Sequence, residues 1–168
     1  MLVERVTLPG LDRVTFLGGM TGASELAVGP YADRTGSPSA QMSLALGRSF
    51  SPRDLERLHA QRRTLVERTE EVLARTPILA MPTTAIPPPA LSRGLVANEH
   101  PLLMLRALGA FTPLANLVDL PSIAVPCGVD DVGRPLSIMF TGARGSETTL
   151  LRIALAVEQT GLGRTGLG

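Results

Sequence analysis

Phe111-Thr-Pro-Leu-Ala-Asn-Leu-Val-Asp-Leu-Pro-Ser-Ile-Ala-Val-Pro-Cys-Gly-Val-Asp-Asp-Val-Gly-Arg-Pro-Leu-Ser-Ile-Met-Phe-Thr-Gly142 is the stretch on which the fold turns. Thr112-Pro113 opens a short helix through Val118, because proline suits a first helical turn. Ser122–Val125 and Leu136–Phe140 are short apolar runs bounded by Pro and Gly, the mark of buried strands. Between them, residues 129–134 (VDDVGR) carry the Asp and Gly of a turn that joins adjacent strands.

Downstream, Ser146 precedes a helix whose inner face would carry Leu150, Leu151, Ile153, Ala154 and Val157. The Gly-rich tail from Gly161 is expected to fray. Upstream, Leu102–Ala110 has helical spacing, and residues 82–93 (PTTAIPPPALSR) form an irregular proline-rich loop. Ile78–Met81 is a third short apolar strand. The clearest element before it is a helix opened by Ser51-Pro52 and running to about Arg75. Leu55, Leu58, Leu65, Val66, Val72 and Leu73 form its apolar stripe, with Arg62 inside the stripe. A buried charge must be paired, so Arg62 is expected to be largely buried against a carboxylate. Ser37-Pro38 opens a helix towards Leu46, ended by Gly47, and Thr21–Ala32 reads as another, capped by Thr21 or Ser24. Residues 3–9 (VERVTLP) and 12–17 (DRVTFL) are expected as two further strands. Helices alternating with strands make this an α/β unit. Strands so apolar are expected to be covered on both faces. Three of them make a thin sheet, as part of a larger one would.

Composition removes several classes of function. Of the 168 residues 44% are apolar and 18% charged, enough for one domain with a real core. The net charge is +1, and every one of the 16 basic residues is Arg; the chain has no Lys. The arginines are scattered or interleaved with Glu, without the one-sided basic stripe that a nucleic-acid partner requires. The single Cys127 rules out an internal disulfide framework. His59 and His100, even with Cys127, fall short of a typical zinc site, and no cofactor motif is present; Gly18-Gly19 and Gly22 lack the spacing of a phosphate loop. No apolar run approaches the ~20 residues of a membrane span, and residues 1–5 (MLVER) meet charge at once, so a signal sequence is not expected. A cytoplasmic location is the default expectation.

The stretch from Phe111 to Gly142 resembles the C-terminal signature of the amidase-signature family, the Ser-cisSer-Lys amide hydrolases. Thr112, Asn116, Pro121, Val125, Pro126, Gly128, Gly133, Pro135 and Gly142 fall at the positions of that signature. Glu147, Leu150, Leu151 and Ala154 resemble the family's last helix. Glu25, the helix with Leu55, Leu58, Arg62 and Leu65, and Met81-Pro-Thr-Thr resemble family elements in the same order. The resemblance therefore runs along essentially the whole chain, as the last third or so of a longer protein. Departures are also present. Pro77 stands where the family usually has Asp, and Asp119 where bacterial members often have Gly. Gly109 and Ala110 replace an acidic ligand of the branch that amidates tRNA-bound glutamate, which argues against that branch.

The resemblance implies a Ser nucleophile, a bridging Ser, a Lys base and a Gly/Ser-rich loop forming the oxyanion hole. A hydroxyl is a weak nucleophile until a base takes its proton, and the oxyanion needs aimed N–H donors. This chain contains neither a Lys nor such a loop. Ser24, Ser37, Ser39, Ser49 and Ser146 are read as capping or turn residues, since no Gly-x-Ser-x-Gly elbow surrounds them. His59 is read as a partly exposed helix residue, His100 as a loop residue, and Cys127 as a small structural thiol. The catalytic set is thus expected to be empty. The resemblance places Phe111, Thr112, Ala115 and Asn116 near the acyl pocket, as its wall. Two readings follow. One is a C-terminal fragment or subunit of an amidase, inactive alone and partnered by the missing N-terminal half or by itself as a homo-oligomer. The other is a non-catalytic binding or assembly module that reuses the fold.

Overall fold

The computed structural model describes residues 3–30, 32–34, 37–91 and 102–161. His100, the end of the proline-rich loop and the tail beyond Gly161 lie outside them. Among the described residues six helices and three strands follow one another: α1 (Val14–Val28), α2 (Pro38–Arg48), α3 (Pro52–Leu73), β1 (Ile78–Pro82), α4 (Leu102–Leu108), α5 (Pro113–Val118), β2 (Ser122–Val129), β3 (Pro135–Gly142) and α6 (Glu147–Gln159). The fold class is the expected mixture of helix and sheet.

Local chemistry sets several boundaries. At α3 the Ser51 hydroxyl accepts from the Asp54 amide at 3.3 Å, and the Asp54 carboxylate accepts from the Ser51 amide at 3.1 Å, a reciprocal capping box. The Ser51 hydroxyl also donates to that carboxylate at 2.5 Å, and this bond, with the one from the Ser51 amide, holds the Asp54 carboxyl below its ordinary pKa. Ser37 caps α2 through the Ala40 amide. The β2–β3 turn is closed by Asp130, whose carboxylate accepts from the Val132 and Arg134 amides, with Gly133 at φ 83°.

The strands form one antiparallel sheet in the order β1-β3-β2. Helix α6 covers one face with Leu150 and Ala154 against Val125 and Phe140. Behind the other face lies the larger core, where Leu79 meets Val14, Leu17, Leu65, Val72, Leu114, Leu117 and Val118. Cover on both faces holds only at one end of the sheet. Along β2, Val125 is buried while Ala124 and Pro126 are exposed, so the second face opens to solvent there.

Two expected strands are absent. Residues 3–8 have no regular structure and pair with no described strand; only Leu8 is buried. Residues 14–17 belong to α1, entered by a 3-10 turn at Leu11–Arg13. Helix α1 begins at Val14, so Thr21 is an interior residue and not a cap, and the helix ends at Val28 and not Ala32. At Gly18 the helix passes close to a neighbour. A Cβ on Gly18 would sit 2.7 Å from the Pro113 Cβ. Gly47 lies within α2, where it faces the Ala23 backbone of α1, and does not end the helix. Thr112 and Ser146 precede their helices as expected, yet neither makes a side-chain cap bond.

Candidate functional site

Thr112, immediately before α5, and Asn116 within it are four residues apart, one turn of helix, and so share a face. They line a cavity of about 300 Å³ together with Gly18, Thr21, Gly22 and Glu25 of α1, Arg62 of α3, and Pro113 and Leu117. Ala115 turns to the other side, where with Asn116 it borders a more open depression beside Asp119, Arg144 and Glu147. Phe111 lines neither hollow; it is half-buried, and its carbonyl accepts from the Leu114 amide at 3.1 Å. Of the four expected wall residues, the fold therefore brings Thr112 and Asn116 to one cavity and separates Ala115 and Phe111 from it.

Arg62 ties α3 to the end of α5. Its Nε donates to the Leu117 carbonyl at 2.6 Å, and its Nη2 donates to the Asp119 carboxylate at 2.8 Å. The pairing matches expectation, but the burial does not. The Arg62 side chain keeps 29% of its exposure and Asp119 keeps 55%. Water screens such a pair, so the large loss expected for a broken buried pair does not apply. Arg62→Ala should lower stability by about 1–2 kcal/mol, mainly through the orphaned Leu117 carbonyl and the lost charged bond. A thermal melt superimposable on the parent's would refute this. Asp119 itself ends α5 in the left-handed region, at φ 53° and ψ 47°. That conformation favours Gly and tolerates Asp.

The alternative nucleophiles are engaged elsewhere or poorly set. The Ser24 hydroxyl donates to the Thr21 carbonyl at 2.7 Å, and that of Ser49 donates to the Leu46 carbonyl at 2.7 Å. Ser37 and Ser39 hydroxyls lie 3.4 Å apart at an exposed helix start. Ser146 packs its hydroxyl against Gly142 and has no hydrogen-bond partner among the described residues. Cys127 is half-buried at a β-bulge between Pro126 and Gly128, and His59 is exposed on α3. Among the described residues no three His, Cys, Asp or Glu side chains gather as metal ligands, and no helix is long and apolar enough to cross a membrane.

Four residues of α1 line the cavity without having been expected there: Gly18, Thr21, Gly22 and Glu25. The signal was the pair of i, i+4 spacings Gly18/Gly22 and Thr21/Glu25, which becomes visible once α1 is known to begin at Val14.

Comparison with known proteins adds the following. A family model described as Amidase matches residues 24–151. A fatty acid amide hydrolase of Medicago truncatula is 34% identical over 128 residues, covering 73% of this chain and 20% of that protein. A putative amidase of Mycobacterium leprae (strain TN) is 30% identical over 169 residues, covering 94% of this chain and 36% of that protein. Among solved structures, a 6-aminohexanoate cyclic dimer hydrolase superposes with a TM-score of 0.71 at 19% identity. That match covers 94% of this chain and 37% of the hydrolase, and it shows a common fold. The chain thus spans 20% of the first of these curated relatives and 36% of the second.

Proposed function

The chain belongs to the amidase family, and from that premise we propose that it is the C-terminal part of an enzyme that hydrolyses a carboxamide or acylamide C–N bond. The observation that carries the proposal is the family match over residues 24–151 in a chain without a single Lys. In this reading the chain contributes wall rather than reacting groups. Thr112 and Asn116 present polar side chains to the substrate pocket, while Phe111 and Ala115 hold α5 in place beneath them. The nucleophile, its base and the oxyanion donors come from the remainder of the amidase fold, joined covalently or supplied as a separate chain. A cytoplasmic setting fits this role.

Surface chemistry supports a partner. Phe16, Met42 and Leu103 are 65%, 72% and 77% exposed, and each stands on a different helix. Apolar side chains this open in the isolated chain fit cover by the remaining part of an amidase or, in its absence, by a second copy.

The purified 168-residue chain should hydrolyse neither simple carboxamides nor activated esters above the buffer rate. Sedimentation at micromolar concentration should show it associated rather than monomeric. Turnover that persists in a Ser24→Ala, Cys127→Ala double variant would reveal reacting groups within this chain and overturn the reading. Turnover lost on one of those changes would identify that residue as a nucleophile, which overturns it equally.

A further inference from the structure

We propose that the cavity of about 330 Å³ between α3 and the 3-10 turn that enters α1 binds an organic phosphate monoester, held by Arg13, Arg68 and Gln61. It shares no residue with the cavity that Thr112 and Asn116 line. One of its walls, Pro9 to Leu17, precedes the residues that the family model matches. The proposal therefore does not rest on the amidase reading.

Two elements build the cavity. Gln61, Thr64, Leu65 and Arg68 stand at i, i+3, i+4 and i+7 of α3, which puts them on one face of that helix. Gly10 and Arg13 bracket the facing turn, closed by the Arg13 amide donating to the Gly10 carbonyl at 3.0 Å. Gly10 has φ 96°, a conformation that glycine adopts without strain. Its missing side chain also leaves room for its neighbours across the cavity. A Cβ there would lie 3.8 Å from Leu65 Cδ1 and 4.0 Å from Arg68 Nη1. The Arg68 guanidinium thus lies against the turn that carries Arg13.

Charge sets this cavity apart. Several arginines of the chain find carboxylates: Arg48 pairs with Asp33, Arg62 and Arg144 with Asp119, and Arg134 with Asp130. Arg13 and Arg68 pair with none of the described residues, and no Asp or Glu lines the cavity. An unpaired arginine on open surface is ordinary, because water solvates it. Two on the border of one cavity, with no acid between them, repel each other and leave a positive hollow. The Gln61 amide, also without a hydrogen-bond partner among the described residues, adds neutral N–H donors. The Thr64 hydroxyl adds none, since it already donates to the Ala60 carbonyl at 3.2 Å.

These groups select the ligand. A guanidinium meets the oxygens of a carboxylate or a phosphate in pairs. A carboxylate brings a single negative charge. A phosphate monoester carries about two near neutral pH, spread over three oxygens, and so answers both arginines. Beneath the charges, Leu17 and Leu65 are 4% and 5% exposed and, with Pro9, form an apolar floor for the organic part of the ester. The volume suits a small ester.

The test follows the ³¹P resonance of a phosphate ester titrated with the full chain at physiological ionic strength, where non-specific attraction is screened. Butyl phosphate represents a free small molecule, and N-acetylphosphoserine N-methylamide represents a phosphorylated side chain. Saturable broadening is expected with at least one of them, and the tighter identifies the source. Butyl sulfate and butyrate, each with one charge, should displace the ester about tenfold less effectively than unlabelled ester does. Arg13→Gln and Arg68→Gln should each weaken binding about tenfold. Arg63→Gln, on α3 but outside the cavity lining, should leave it unchanged. All three side chains are exposed, so the variants should melt with the parent and remain comparable. No saturable broadening with either ester would overturn the proposal, as would equal displacement by butyl sulfate or butyrate. An Arg63→Gln effect as large as that of Arg68→Gln would overturn it too, by reducing the binding to general charge attraction.

Discussion

Leu114→Ala should destabilise the chain by about 2–5 kcal/mol, the range for emptying a well-packed leucine site. Leu114 is 0% exposed and stands at the second position of α5. It belongs to the core that joins Val14 and Leu17 of α1, Leu65 of α3 and Leu79 of β1, so three separate elements lose contacts at once. The upper half of the range is therefore expected. Urea unfolding followed by circular dichroism measures it directly, as a lower midpoint at unchanged slope. Leu114→Met, which keeps most of the volume, should cost less than about 1.5 kcal/mol. A loss below about 1 kcal/mol for the Ala variant would mean that α5 is not seated as described.

Gly47→Ala should be nearly as damaging, and its sign is informative. In an open helix interior, Gly→Ala stabilises by roughly 1 kcal/mol. At Gly47 the added Cβ would collide with the Ala23 carbonyl oxygen, lie 2.6 Å from the Ala23 carbonyl carbon and 2.8 Å from the Ala27 Cβ. Two of those three atoms are backbone, so no rotamer change relieves the clash and α1 must move away from α2. Overpacking of this kind costs about 1–3 kcal/mol or more, which exceeds the propensity gain. Gly19→Ala provides the control, because a Cβ there meets nothing within 4 Å. Thermal melts should show the Gly47 variant below the parent and the Gly19 variant at or above it. A Gly47 variant that melts with the Gly19 variant would sink the close packing of α1 on α2.

The elements legible in the sequence are those with local punctuation. Ser51, Pro52 and Asp54 announce α3, and its apolar stripe carries the reading for the rest of its length. The Val129–Arg134 turn fixes β2 against β3 in the same way. The second half of α1 read as a helix from Thr21 onward, but its first half was hidden because its stability is not local. Gly18, Gly19 and Gly22 depress helix propensity, and Val14, Thr15 and Phe16 favour strand. What holds it helical is contact with Pro113 and Gly47, which are remote in sequence. The same cause split the candidate site. Thr112 and Asn116 were readable from one helix and one motif. Thr21 and Glu25 join them only when a helix almost a hundred residues away is laid alongside.

The prolines of the sheet bear on how molecules of this chain can meet. Among the described strands, β1 and β2 each have one side unpaired, with β3 between them. Such margins invite a strand from another molecule to add by main-chain bonding and begin a fibril. Here Pro77 precedes β1 and Pro82 ends it, while Pro126 interrupts β2 just where the bulge displaces its pleat. A proline offers no N–H, and a bulge breaks the even spacing that an incoming strand must match. Growth of a continuous intermolecular ribbon along either margin is therefore obstructed, and encounters between copies are steered towards side-chain surfaces, which can be competed away by a proper partner.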